Sequence, residues 1–105
     1  MLKHTRQRDR LTVYLTGELD HCSAQTIRMD LDRLIADPTL KHMLLDLGSL
    51  TFMDSSGIGV ILGRYRTLAA RGGSVSVRGM NPQITRVFQL SGMGQIIQVE
   101  REVVR

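Results

Sequence analysis

The run Thr51-Phe52-Met53-Asp54-Ser55-Ser56-Gly57-Ile58-Gly59 sets one carboxylate, two hydroxyls and two glycines where an apolar stretch gives way to a helical pattern. A helix N-terminus carries unpaired backbone N–H groups and partial positive charge. A hydroxyl is tolerated there, and a phosphate built on that hydroxyl is stabilised. Nucleophilic hydrolysis asks for more. A nucleophile elbow has glycine two residues before and two after its serine, whereas Met53 and Asp54 occupy the preceding positions for Ser55 and Ser56. His4, His21 and His42 belong to no motif that would complete a triad. A P-loop would end in Gly-Lys-Ser/Thr, and no lysine lies near this turn. One cysteine and three scattered histidines do not form a metal-ligand spacing. The chain is therefore expected to have no catalytic centre, cofactor or metal of its own.

A purely local reading of the turn stays open. Asp54 or Ser55 caps the helix, and Gly57 and Gly59 let the backbone bend tightly. Gly59 and Gly63, on one helical face, equally allow close approach to a sheet or another helix. Asp20 divides in the same way, between capping the first helix and presenting charge beside the serine turn.

The elements that must position these residues are legible from periodicity. Leu11, Val13 and Leu15 alternate with polar residues, as in a half-buried strand, which is expected to stop at Gly17. The preceding basic segment is a candidate antiparallel edge strand. After the polar turn Glu18 to Ser23, Ala24, Ile27, Leu31, Leu34 and Ile35 fall at helical spacing, and Asp37-Pro38 ends that helix. The near-continuous apolar run from His42 to Leu47 predicts a central strand covered on both faces, with Leu50 and Phe52 carrying it toward the turn. Ile58, Ile61, Leu62, Tyr65, Leu68 and Ala69 predict the next helix, stopped by Gly72-Gly73. Val75 and Val77 predict a strand, and Asn81-Pro82 opens a third helix carrying Ile84, Val87 and Phe88, which Gly92 can end. Ile96, Ile97 and Val99 suggest a last strand. Glu100 to Arg105 is too short for a helix unaided.

Strands separated by helices imply an α/β fold: a mixed, mostly parallel sheet of four to five strands with an antiparallel edge strand and three to four helices. In such a sheet, loops at the carboxyl ends of adjacent strands converge, so the turns carrying Asp20 and Asp54 should be neighbours.

With 105 residues and 42% hydrophobic content, residues 1–105 are expected to form a single domain. The absence of Trp, with two Phe and two Tyr, leaves an aliphatic core and little surface for base stacking. The net charge of +4 is spread over arginines near the start, late in the second helix and at the end of the chain. No helix-turn-helix, zinc-finger or aromatic ribonucleoprotein pattern accompanies them, so direct nucleic-acid binding is not expected. The single Cys22 forms no intrachain disulfide, and no leader or long apolar span appears. A cytoplasmic location without membrane contact is the expectation.

The run from Thr51 to Arg66 closely resembles the signature of bacterial anti-sigma factor antagonists of the STAS domain family, most of all its sporulation members. Leu15-Thr16-Gly17-Glu18-Leu19-Asp20-His21 upstream, and Met80-Asn81-Pro82 and Leu90-Ser91-Gly92-Met93 downstream, match in the same order and spacing. The resemblance spans nearly the whole chain. It implies a partner switch in which the unphosphorylated domain binds an anti-sigma factor that is also a serine kinase, freeing a sigma factor. The kinase phosphorylates the antagonist and releases it, and a metal-dependent phosphatase resets it. By position the phosphoacceptor is Ser55, and the expected partner-binding residues are Asp20, Asp54, Ser56, Gly57, Gly59 and Arg64, the last on the exposed face of the helix. The sporulation relatives continue into a further C-terminal helix, expected here to be short or missing. The alternative within the fold is a non-switching scaffold or small-ligand module.

Overall fold

A computed structural model describes residues 2–101 of the chain. Its elements run β1 (Leu2–Gln7), β2 (Arg10–Leu19), α1 (Ala24–Leu34), β3 (His42–Met53), α2 (Ser55–Ala69), β4 (Ser74–Arg78), α3 (Pro82–Leu90), a 3-10 turn (Met93–Gln95) and β5 (Gln98–Val99). The five strands form one sheet in the order β1-β2-β3-β4-β5. β1 pairs antiparallel with β2, from Leu2 opposite Leu15 to Gln7 opposite Arg10, and the other three pairings are parallel. The α/β class, the antiparallel edge and the mostly parallel sheet agree with the sequence reading. Residues 102–105, where the expectation of a short or missing C-terminal helix falls, lie outside the described residues.

Alternation decides where the core sits. Leu11, Val13 and Leu15 of β2, Met43, Leu45 and Leu47 of β3, and Val75 and Val77 of β4 are buried in one cluster with Ile27 and Leu31 of α1, Val60, Ile61 and Leu68 of α2, and Ile84 and Phe88 of α3. The helices thus cover one face of the sheet. The residues between them, Thr12, Tyr14, Leu44 and Asp46, are half-buried or exposed on the other face. This corrects the expectation that β3 is covered on both faces: from Met43 to Leu47 its buried positions recur every second residue because one side alone is packed. On the open face Arg78 Nε donates to Asp46 Oδ2 at 2.8 Å, and Ser76 Oγ donates to Glu100 Oε2 at 2.7 Å.

Two boundaries also differ. β2 does not stop at Gly17, whose φ of +89° lies in the left-handed region. The strand passes through register shifts at Tyr14/Thr16 and Gly17/Glu18 and resumes to bury Leu19 opposite Met53. The last strand is shorter than the apolar run suggests. Ile96 follows the 3-10 turn and is exposed, Ile97 is buried, and pairing begins only at Gln98.

Candidate functional site

The site lies where β2 and β3 end side by side. Each strand end turns into a helix, and each turn is organised by an aspartate. Asp20 Oδ1 accepts from the backbone N–H groups of Cys22 and Ser23, each at 3.0 Å, closing the turn that leads into α1. Ser23 Oγ accepts from Asp20 N at 3.0 Å and donates to Glu18 O at 2.7 Å. Ser23 precedes α1 without capping it by its own side chain. The N–H groups of Ser23 and Cys22 stabilise the ionised Asp20 carboxylate, so its pKa is lowered, with the Ser23 N–H the largest cause.

Asp54 is the N-cap of α2. Its Oδ1 accepts from Ser56 N at 2.8 Å, and its Oδ2 accepts from His21 N at 3.2 Å. Asp54 N in turn donates to Leu19 O at 3.3 Å. The expectation that the two turns are neighbours therefore holds, and one carboxylate satisfies a donor in each. Of the local alternatives for the cap, Asp54 takes the role, which leaves Ser55 free of it. Ser55 is the first residue of α2 and is exposed, and its hydroxyl has no hydrogen-bond partner among the described residues.

The remaining predicted residues separate. Ser56 is half-buried and, with Gly59 and Val60, faces His21, Ala24 and Arg28 across a groove of about 440 Å³ between α1 and α2. Gly59 is exposed, and a Cβ there would meet nothing within 4 Å, as at Gly63, so neither glycine serves a close approach within this chain. Gly57 is different. It is buried, and a Cβ would run into Met53 Cγ and come within 2.9 Å of both Leu19 Cγ and Leu19 O. Its expected place on a docking surface is corrected: Gly57 lets the start of α2 sit directly on the two strand ends.

Arg64 is corrected as well. Only 9% exposed, it lies between α2 and α1, with Nε 3.1 Å from Asp32 Oδ1. That approach is an ion pair without the direction of a hydrogen bond, and Nε and Nη1 are both buried and unbonded. At about 100° per residue, Arg64 points half a turn away from Ser55, whereas Leu62 and Arg66 stay within about 20° of it and Ile58 within about 60°. Ile58 and Leu62 are half-buried and Arg66 is exposed. Phe52, just before the turn, is 37% exposed. Ile58 and Leu62 read as core in an apolar repeat, and only their angular position relative to Ser55 sets them, with Arg66, on its side of the helix. Cys22 is exposed beside Asp20.

Among the described residues, no group of three or more His, Cys, Asp or Glu side chains could hold a metal ion. No helix among them is long and apolar enough to cross a membrane. The arrangement offers an exposed hydroxyl at a capped helix N-terminus, two ordered carboxylates and a partly apolar helix face, which suits recognition by another macromolecule.

Residues 2–105 match the STAS domain family. The chain is 43% identical to the anti-sigma F factor antagonist of Paenibacillus polymyxa over 89 residues, 85% of this chain and 76% of that protein. The structure of the anti-sigma factor antagonist SpoIIAA in its unphosphorylated form superposes with a TM-score of 0.85 at 31% identity, covering 98% of this chain and 89% of the other. SpoIIAA from Bacillus in its phosphorylated form gives a TM-score of 0.77 at 31% identity, covering 98% and 92%. The chain belongs to the STAS domain family, among the anti-sigma factor antagonists.

Proposed function

We propose that this chain, when unphosphorylated, binds an anti-sigma factor that is a serine kinase and so releases a sigma factor in the cytoplasm. Phosphorylation of Ser55 ends the complex, and a metal-dependent phosphatase restores it. The observation that carries the reading is the exposed hydroxyl of Ser55 at the start of α2, with the helix capped by its neighbour Asp54. Its relative SpoIIAA is known in both an unphosphorylated and a phosphorylated form, which supports a switch of this kind.

Physical chemistry separates the effects on fold and on binding. A phosphoserine brings roughly −1.5 to −2 charges and three acceptor oxygens. At a helix N-terminus these meet the partial positive charge of the first N–H groups, so the domain stays folded. Inside an interface the same charge must be desolvated close to Asp54, so the complex is lost. The kinase supplies ATP, magnesium and the general base. In this reading Asp54 and Asp20 order the surface, and Ser56, Gly59, Ile58, Leu62 and Arg66 contribute to it.

The test is incubation with anti-sigma F factor, labelled ATP and magnesium, followed by peptide mass spectrometry and a binding assay. Wild type takes phosphate on Ser55. Ser55→Ala binds and stays unlabelled, and Ser55→Asp binds poorly. Label on the same peptide of Ser55→Ala shows the assignment to be wrong.

A small-ligand module is favoured by one observation, a cavity of about 550 Å³ between α3 and β5 lined by Met80, Phe88 and Val99 among others. None of its lining residues belongs to the Ser55 turn, so a ligand there would leave the phosphorylation assay unchanged.

A further inference from the structure

β3 outlasts its neighbour. Its pairing with β4 ends at Asp46 opposite Arg78, yet β3 continues to Met53. Backbone groups on that edge still need partners, and two side-chain amides from the start of α3 provide them. Asn81 Nδ2 donates to Thr51 O at 3.1 Å. Gln83 Nε2 donates to Met53 O at 2.8 Å, and Gln83 Oε1 accepts from Met53 N at 3.1 Å. A primary amide carries a donor and an acceptor side by side, so Gln83 bonds both backbone groups of Met53 as an adjoining strand would. On the opposite edge the next residue is held by β2, through Asp54 N to Leu19 O at 3.3 Å. The strand end is thus gripped from both sides immediately before Ser55.

We infer that Gln83 is a positioning residue for phosphorylation of Ser55, an inference that rests on the reading of Ser55 as phosphoacceptor. By fixing Met53 it sets where α2 begins and where the Ser55 hydroxyl points. A displacement of about 1 Å in an attacking group can cost about 100-fold in rate, whereas a docking face spread over α2 and the Asp20 turn tolerates it. The effect of losing Gln83 therefore falls on the chemical step rather than on binding. Asn81 is a poorer probe, because its Oδ1 also caps α3 by accepting from Ile84 N at 2.8 Å.

Gln83→Ala removes the clamp without a penalty in helix propensity. Gln83→Glu keeps the length and the acceptor but loses the donor and sets a carboxylate against Met53 O. In Gln83→Ala amide exchange at Met53 should quicken about tenfold while core amides of β2 and β3 keep their protection. Single-turnover phosphorylation at saturating kinase should slow about tenfold, with the dissociation constant of the complex within about twofold of wild type. Wild-type exchange at Met53, or a wild-type single-turnover rate, in Gln83→Ala overturns the inference and leaves the Ser55 assignment standing. A wild-type chain that takes no phosphate on Ser55 overturns both.

Discussion

Asp54 accepts a hydrogen bond from the backbone N–H of His21 at 3.2 Å, 33 residues away in sequence, while its other oxygen caps α2 through Ser56 N. One carboxylate therefore ties the end of β2 to the start of α2. The two turns that flank Ser55 behave as one surface because they share this group.

Asp54→Ala strips the cap from α2 and leaves the N–H groups of Ser56 and His21 without their acceptor. A loss of about 1–2 kcal/mol is expected, read by urea unfolding. Asp54→Asn keeps an acceptor and should recover part of it. Affinity for the anti-sigma factor should fall in Asp54→Ala beyond what the stability loss explains, because the Asp20 turn is released as well.

Gly57 and Gly59 should respond oppositely to alanine. At Gly57 the added methyl meets Met53 and Leu19, and overpacking of this kind costs about 1–3 kcal/mol. At Gly59 the space is open, so Gly59→Ala should stabilise the helix by about 0.5–1 kcal/mol. If a partner lies against this face, the same Gly59→Ala chain binds more weakly despite being more stable. Paired melting and binding curves check both.

Removing the counter-charge of Arg64 is expected to lower stability, and removing Arg66 to weaken binding. Asp32→Ala leaves the buried guanidinium of Arg64 without its counter-charge and should cost about 1 kcal/mol, the low end for such a loss because Asp32 is itself half-exposed. Replacing the buried cation in Arg64→Met should be neutral within about 1 kcal/mol. Arg66→Ala should leave the unfolding midpoint in place and lower affinity for the anti-sigma factor.

Stability should carry an acid limb from Asp37, which lies outside the turn that carries Ser55. Hydrogen bonds from the Thr39 hydroxyl and N–H, then from Arg6, bring its pKa from 3.8 down to about 2. Arg6 Nη1 lies 2.8 Å from Asp37 Oδ2, tying β1 to the loop before β3. Because the folded value is the lower one, the stabilisation is complete above the unfolded pKa and disappears as pH falls through the folded one. Asp37→Ala should therefore be less stable than wild type near pH 6, and the gap should shrink between about pH 4 and pH 2. Denaturation midpoints across that range check it.

Local pattern carried much of this fold. The alternation of Leu11, Val13 and Leu15 marked β2, Asn81-Pro82 marked the capped start of α3, and Gly92, with a φ of +77°, marks its end. These signals are legible because capping and pleating act over a few neighbouring residues. What they misjudged involves contacts between distant segments. The strand continues beyond Gly17 because bulges re-aim Leu19 into the core, and β3 reads as doubly covered only until the helices are seen on one face. Gln83 carries no motif at all.

The sequence by itself determined the α/β order, the Asp-Ser-Ser-Gly turn at a helix start and the family resemblance, since each rests on residue types at short, regular spacing. The tertiary structure alone decided which residues of that turn face outward. It turned Gly57 and Arg64 inward, left Ser55, Gly59 and Arg66 outside, and brought His21 and Gln83 onto the strand ends. The reason is physical: a helix has one rotational setting against its sheet, chosen by how closely Gly57 allows it to approach Leu19 and Met53, and no local spacing contains that choice.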